Sequence, residues 1–452
     1  MSAARNTISR CLVLFVLLAI LGLQANSVAA AKEPETGIDR IPEVGSSISH
    51  EHEAQSVKNW DWSIWPGPTY RSPKEKFTTR FQGRILYDFG TLRDQKSVGS
   101  TDGWETNLRI LRVGLAGTIG RTIGYQVNLS IDNGDFNVQD AFLQYSGSKN
   151  WTLRAGQFQI ANSLEGLTSS LAISLVERAS FINAFGLKRA LGAGARYTGK
   201  NWDARIGFFN GSNLNEDTSK EKYVASARVA VYPTLSFISG FHLAASYRYR
   251  KFSFNDDKSS VQYRTRPHTQ LVDQYYVDTG VLDQLSNDQL FIFEIAGTRG
   301  AVWAAAEWGW LNASIVEGSN PLINGKNSAR FHGGYASIGW FITGENRPQN
   351  DGKWASVQVN RPVFNGGWGA WAITVRYDYM DLVASKIELF GGTQSSLIFG
   401  LNWHLTNYIA VKFNLAHSSI RDAFGAPQDN GLVDENGRNK VNSFTTRLQV
   451  HF

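Results

Sequence analysis

Over its last nine residues, Phe444 to Phe452, the chain alternates between two kinds of side chain and stops on an aromatic carboxyl terminus. Phe444, Thr446, Leu448, Val450 and Phe452 share one face of a strand, and Thr445, Arg447, Gln449 and His451 share the other. A soluble sheet seldom ends this way. With a cleavable leader ahead of it and many similar segments upstream, the ending predicts the closing strand of a β-barrel that spans a bacterial outer membrane.

Residues 1–30 supply the leader. Arg5 and Arg10 precede an apolar run from Leu12 to Leu23, followed by the small residues Ser27 to Ala31. The run is too short for a membrane helix and its small-residue flank suits a cleavage site, so the segment reads as a secretory signal peptide. Cys11, the single cysteine, lies inside it. The mature chain therefore has no disulfide, thiolate metal site or cysteine nucleophile. Formal charge is +6, and +4 once Arg5 and Arg10 are removed, so the placement of charge matters more than its sum.

Four segments carry the period of two most clearly. Ile123, Tyr125, Val127, Leu129 and Ile131 alternate with Gly124, Gln126, Asn128 and Ser130, and the same pattern recurs over 241–250, 371–380 and 397–405. Any sheet with one wet face would give this pattern, but its recurrence behind a leader favours a lipid-facing exterior and a polar interior. Seventeen candidate strands are found between 77 and 452, and bacterial barrels have even strand numbers. The segment near 353–360, poor in apolar residues and followed by Arg361-Pro362, is the one to drop. The expected fold is all-β: a transmembrane antiparallel up-and-down barrel of 16 strands over 76–452, preceded by a flexible extension over 31–75. Lys149-Asn150, Gly199-Lys200, Arg299-Gly300 and Thr406-Asn407 then fall on the periplasmic side, and 344–367 becomes an unusually long periplasmic connection. Leu108 and Ile110 break phase with Leu111, Val113 and Leu115, which predicts a β-bulge near Ile110 that keeps Arg109 and Arg112 facing inward.

Alternation turns Arg80, Arg84, Arg154, Arg196, Arg205, Arg228, Arg248, Arg250, Arg376, Lys412 and Arg447 inward. Asp88, Glu105, Asp132, Asp140, Asp203, Glu294, Glu307 and Asp378 face the same way, so each arginine either meets solute or pairs with a neighbour. His50-Glu51-His52-Glu53 has the look of a metal site but reads as a solvated charge cluster in an unstructured segment. Trp60, Trp62 and Trp65 suit either a membrane interface or the barrel mouth. His417-Ser418-Ser419 offers a hydroxyl beside an imidazole, with no third group to orient the base. No catalytic, cofactor or metal site is assigned.

The longest early break, 160–189, is where a pore-narrowing third loop belongs. It contains Ser163-Leu164-Glu165-Gly166-Leu167-Thr168-Ser169-Ser170, then Glu177-Arg178 and Lys188-Arg189. On these residues the chain resembles the phosphate-selective porin O and P family, whose barrels fold a similar loop into the lumen. Further likenesses are Gly83-Arg84 leading to Asp88-Phe89-Gly90, Gly156-Gln157-Phe158, Thr343 to Arg347, Gly369-Ala370-Trp371 running into Arg376-Tyr377-Asp378, Gly400 to Trp403, and Arg447-Leu448-Gln449.

The resemblance implies a homotrimeric outer-membrane porin through which small anions, phosphate or polyphosphate, diffuse passively; neither nucleic acid nor a cofactor is expected. The expected pore lining is Arg84, Arg109, Arg154, Arg248, Arg250, Arg264, Arg266 and Arg376, with Glu165, Glu177, Arg178, Lys188 and Arg189 in the constriction loop. Arginine suits the task because its planar fork binds phosphate through two parallel hydrogen bonds. Two positions depart from the family pattern. His268 stands where another arginine would continue the series, and Leu171 follows Ser169-Ser170 where phosphate-binding members carry lysine. Anion preference is therefore the firmer expectation. The alternatives are a general diffusion porin with weak anion preference, and a barrel lipid hydrolase or adhesin.

Overall fold

A computed structural model describes residues 60–63, 66–211, 213–215, 221–236, 238–253, 261–282, 285–315 and 328–452. The leader, the His-Glu cluster and Trp65 lie outside the described residues.

Sixteen antiparallel strands close into a barrel. The first eight are β1 Phe77–Asp94, β2 Glu105–Ile119, β3 Ile123–Asp132, β4 Asp135–Tyr145, β5 Trp151–Gln159, β6 Arg189–Thr198, β7 Trp202–Asn210 and β8 Glu221–Val231. The second eight are β9 Ser239–Phe252, β10 Leu285–Arg299, β11 Val302–Ile315, β12 Ser328–Phe341, β13 Ala370–Ala384, β14 Leu389–His404, β15 Ile409–Ala423 and β16 Asn439–His451. Each pairs with the next, and β16 returns to β1, with Arg447 opposite Asp88 and Val450 opposite Ile85. Closure leaves no edge strand for water or another chain to pair with.

The strand faces follow the alternation. In β3, Ile123, Val127 and Leu129 are exposed on the outside while Asn128 and Ser130 are buried inside. In β16, Thr445, Arg447, Gln449 and His451 are buried on the inner face. The aromatic terminus completes the seam: Phe452 and Gly83 exchange two backbone hydrogen bonds of 2.9 Å. A Cβ at Gly83 would stand 2.5 Å from the Phe452 ring, so only glycine lets the terminal ring lie flat there. Just beyond the chain end, Thr69–Arg71 pairs with Thr78–Arg80 of β1, and Trp60–Asp61 pairs with Tyr70 and Thr69. Trp60 and Trp62 stack with ring centroids 5.0 Å apart and remain solvent-facing.

The fault in β2 is a bulge at Arg109. Leu86 pairs with Ile110 and Tyr87 with Leu108, so Arg109 is the extra residue. Segment 353–360 contributes no barrel strand; Lys353–Trp354 makes a two-residue ladder with Gln349–Asn350. Short connections such as 120–122, 199–201 and 300–301 cluster at one end, which in outer-membrane barrels faces the periplasm. The long connection 342–369 belongs to that end too.

Candidate functional site

Three connections fold back inside the ring. Segment 160–188 forms two short helices, α1 Leu164–Leu167 and α2 Ser180–Ala184, and its hydrogen bonds reach strands all round the barrel. Glu307 on β11 accepts from Ser163 Oγ at 2.6 Å, Leu164 N at 3.0 Å and Glu165 N at 2.8 Å, with Tyr335 Oη at 2.8 Å. Further round the ring, on β15 and β14, Lys412 Nζ donates to the Ile173 carbonyl at 2.8 Å and Asn402 donates to the Ser174 carbonyl at 2.7 Å. The loop also takes two bonds from Arg84 on β1, six strands round the ring from Glu307 on β11.

A second inward piece lies toward the extracellular end. Val261–Thr265 pairs with Val277–Leu282, and the tip between them carries His268. His268 has φ +58° and is buried with its Nε2 3.5 Å from Ser180 Oγ, 3.4 Å from Gln394 Nε2 and 3.6 Å from Asp378 Oδ1. The tip thus rests on α2 and on β13 and β14. Burial holds the His268 pKa below its usual value; Asp378 works against this and Arg376 with it.

The third piece is the periplasmic connection 342–369. Trp354, 2% exposed, packs edge-on against Trp303, and its backbone N–H donates to Thr168 Oγ1 at 3.2 Å. The Arg347 guanidinium lies 3.9 Å from the Trp303 ring and 4.1 Å from the Trp354 ring, and donates to the Ala172 carbonyl at 3.2 Å. Sequence reasoning marked this stretch only as a connection of awkward length; its aromatic Trp354 between Gly352 and Pro362 was the available signal that it packs inside.

These pieces divide the lumen into two unlike walls. Over β8–β16, guanidinium groups are matched to carboxylates and shut away from solvent, with exposures of 7% or less. Arg447 makes a two-pronged pair with Asp88 at 2.6 and 2.7 Å, reaches Glu177 of the third loop at 3.0 Å and donates to the Val176 carbonyl at 2.5 Å. Arg228 grips Glu294 at 2.8 and 2.6 Å. Arg376 bonds Glu165 at 2.8 Å beneath the Tyr335 ring. Arg250 is held by Asp288 at 3.0 Å and Glu221 at 2.9 Å, and Arg248 by the Gly186 carbonyl at 3.1 Å with Asp288 at 3.6 Å. Arg248, Arg250 and Arg376 therefore face inward but are enclosed.

Over β1–β7 most of the cations meet solvent, with Arg84 and Arg112 the buried exceptions. Side-chain exposure runs from 16 to 36% for Arg109, Lys188, Arg189, Arg196 and Arg205. Arg84 donates to Ser169 Oγ at 3.0 Å and Ser170 Oγ at 3.2 Å, and Arg109 meets Glu177 at 3.4 Å. Burial raises the Glu177 carboxyl, yet Arg109 and Arg447 outweigh it and hold the group below the usual range. Arg112 stands 3.9 Å from Asp132, Arg189 pairs with Asp140 at 2.9 Å, and Lys188 with Glu221 at 3.5 Å. Arg154 bonds only the neutral Gln144 among the described residues. Arg178 donates to the Glu165 and Thr168 carbonyls, bracing the third loop on itself.

Toward the extracellular mouth, Arg264 and Arg266 stack on Tyr275 at 4.0 and 4.4 Å, and Arg266 also bonds Gln270 at 2.5 Å and Asp273 at 3.4 Å. Leu171 is buried in a small apolar cluster with Leu86 and Ile110. His417 points outward, bonded to Asn442 at 2.7 Å, while Ser418 points inward to Ser396 at 2.7 Å. The two stand on opposite faces of the wall, so they form no nucleophile–base pair.

A model of the family described as phosphate-selective porin O and P matches residues 80–452. A Caulobacter vibrioides protein described as uncharacterized is 28% identical over 398 residues, covering 86% of this chain and 76% of that protein. Among solved structures, the outer membrane channel DcaP of Acinetobacter baumannii superposes with a TM-score of 0.51 at 11% identity, covering 85% of this chain and 99% of that one. OmpT of Vibrio cholerae superposes with a TM-score of 0.50 at 11% identity, covering 84% and 100%. At these identities the two structures are alike in fold alone.

Proposed function

We propose, from the premise that this chain belongs to the phosphate-selective porin O and P family, that it passes small anions by diffusion along the β1–β7 side of its lumen. Membership makes it an outer-membrane porin, which supports a channel over an enzyme. The anion preference is the proposal, and one observation carries it: on the β1–β7 wall, where most of the cations are solvated, they outnumber the carboxylates beside them. Arg84, Arg109, Arg112, Arg154, Lys188, Arg189, Arg196 and Arg205 face Asp132, Asp140, Asp203, Asp351, Glu177 and Glu221. A fixed positive excess in a narrow aqueous slot lowers the barrier for anions and raises it for cations. Arg264 and Arg266, at the extracellular end, would draw anions toward it. Phosphate is the preferred solute in this reading, the assembly a homotrimer seated among outer-membrane lipids, and residues 1–30 the leader that exports it.

A second reading, diffusion with weak anion preference and no phosphate site, is favoured by Leu171, which joins an apolar cluster with Leu86 and Ile110 and so adds no second cation to Arg84 at Ser169 and Ser170. The test is the reversal potential of the purified mature protein in a planar bilayer under a potassium chloride gradient, then phosphate titrated against the chloride current. Anion selectivity with saturable phosphate block supports the first reading. Selectivity without block supports the second, and cation selectivity or the absence of current refutes both.

A further inference from the structure

In the periplasmic half of the slot, β4–β7 face the tip of segment 342–369. Asp351 on that tip accepts from Arg196 Nη1 at 2.8 Å, and its carbonyl accepts from Arg205 Nη2 at 2.5 Å. Asp203 stands 3.5 Å from Arg196 and 2.8 Å from Arg205. Two arginines are thus met by two carboxylates.

Arg154 on β5 is built differently. Its Nε and Nη2 both donate to Gln144 Oε1, at 3.2 and 2.6 Å, and neither bond uses Nη1. Its guanidinium carbon lies 4.1 Å from the Phe142 ring and 5.4 Å from that of Phe158. Among the described residues no carboxylate pairs with it. A neutral amide and aromatic rings fix the plane of the fork without cancelling its charge, and the rings keep water from one side of it.

We infer that Arg154 is an anion station in the periplasmic half of the channel, taking a small oxyanion such as inorganic phosphate on its free edge. The inference rests on the anion-porin reading and adds a place to it. Conduction through a long slot needs successive sites, each favourable enough to enter and weak enough to leave. Arg84 and Arg109 serve the stretch beside the third loop. Beyond it the Arg196 and Arg205 charges are matched, so Arg154 is the one that acts on the ion.

The experiment compares wild type, Arg154→Met and Arg154→Lys in planar bilayers, with phosphate added to each side in turn. Methionine keeps the stem over Phe142 and loses the charge; lysine keeps the charge. Arg154→Met is expected to lower the anion-over-cation permeability ratio about threefold or more, and to weaken phosphate block from the periplasmic side more than from the extracellular side. Arg154→Lys is expected to hold the ratio within about twofold of wild type. An anion-selective wild type with an unchanged Met variant overturns the station and leaves the anion-porin reading standing. Equal loss in the Met and Lys variants also overturns it, since that marks a packing role. A non-selective wild type overturns the reading on which it rests.

Discussion

Replacing Arg447 with methionine tests whether the β8–β16 wall is as dry as its ion pairs imply. The guanidinium is 2% exposed and its partners Asp88 and Glu177 are 0% and 7% exposed. Truncation strands Asp88 on β1 in that setting, leaves Glu177 of the third loop with Arg109 as its one counter-charge, and cuts the bond to the Val176 carbonyl. Breaking a buried pair from one side costs about 3–5 kcal/mol, because the charge left behind has lost its counter-charge without regaining water. An exposed pair would cost about 0–1 kcal/mol. The assay is denaturant unfolding of the protein in lipid vesicles, followed by tryptophan fluorescence. A companion variant that joins Arg447→Met to Asp88→Asn removes the stranded charge, leaves Glu177 to Arg109, and should recover most of the loss. If Arg447→Met costs less than about 1 kcal/mol, water reaches this wall and the division of the lumen into closed and open sides is wrong. If that double variant is as unstable as the single one, the cost is packing and not charge.

Trp354→Ala should remove about 3–5 kcal/mol of docking from the periplasmic segment, since the ring is buried against Trp303 and Arg347; a larger single-channel conductance would report it, and unchanged conductance would mean the segment does not narrow the pore. Acid should loosen both loops in turn. The folded pKa of His268 is depressed below 6.5 by burial, so the docked tip loses stability as pH falls through the window just below that value; Arg376 adds to the effect, while Asp378, Glu177 and Glu165 oppose it. Glu177 is depressed below 4.5 by Arg109 and Arg447 against the pull of burial, so the third loop follows at lower pH. Hydrogen exchange of 266–272 against 176–178 across pH 7 to 4 should show the tip opening first, and a tip better protected at pH 5 than at pH 7 would refute the assignment. Replacing both Ser169 and Ser170 with alanine strips Arg84 of two acceptors and should weaken phosphate block severalfold while leaving the barrel folded, read from block curves and gel mobility.

The wall of this barrel was legible because a period of two is a local property. Ile123 to Ile131 alternates in the chain and therefore alternates in space, and the out-of-phase residues around Ile110 demanded a bulge that Arg109 supplies. The interior was legible only as a direction. Alternation could say that Arg250 and Asp288 both point inward. It could not say that they stand directly opposite each other, because that depends on the register of β9 against β10 across a connection of more than thirty residues. Segment 342–369 was harder still. Trp354 meets Trp303 and Thr168 through tertiary contacts alone, and no periodicity in 342–369 announces them.

That distinction bears on how selectivity is read from such a chain. An inward arginine paired with a carboxylate at 2.6 Å acts on a passing ion as a dipole, and its field falls off faster than that of a bare charge. Arg248, Arg376 and Arg447 on β8–β16 thus hold the third loop against the wall, and the enclosed arginines of that wall do little to choose the solute. Fixing a loop needs dry, matched pairs; attracting an ion needs a wet, unmatched one. The same residue type serves both ends, and the partner decides which. Counting arginines in the lumen therefore overstates the pull on an anion, and the weight falls on the few, such as Arg154 on its amide and rings, whose charge is left uncancelled.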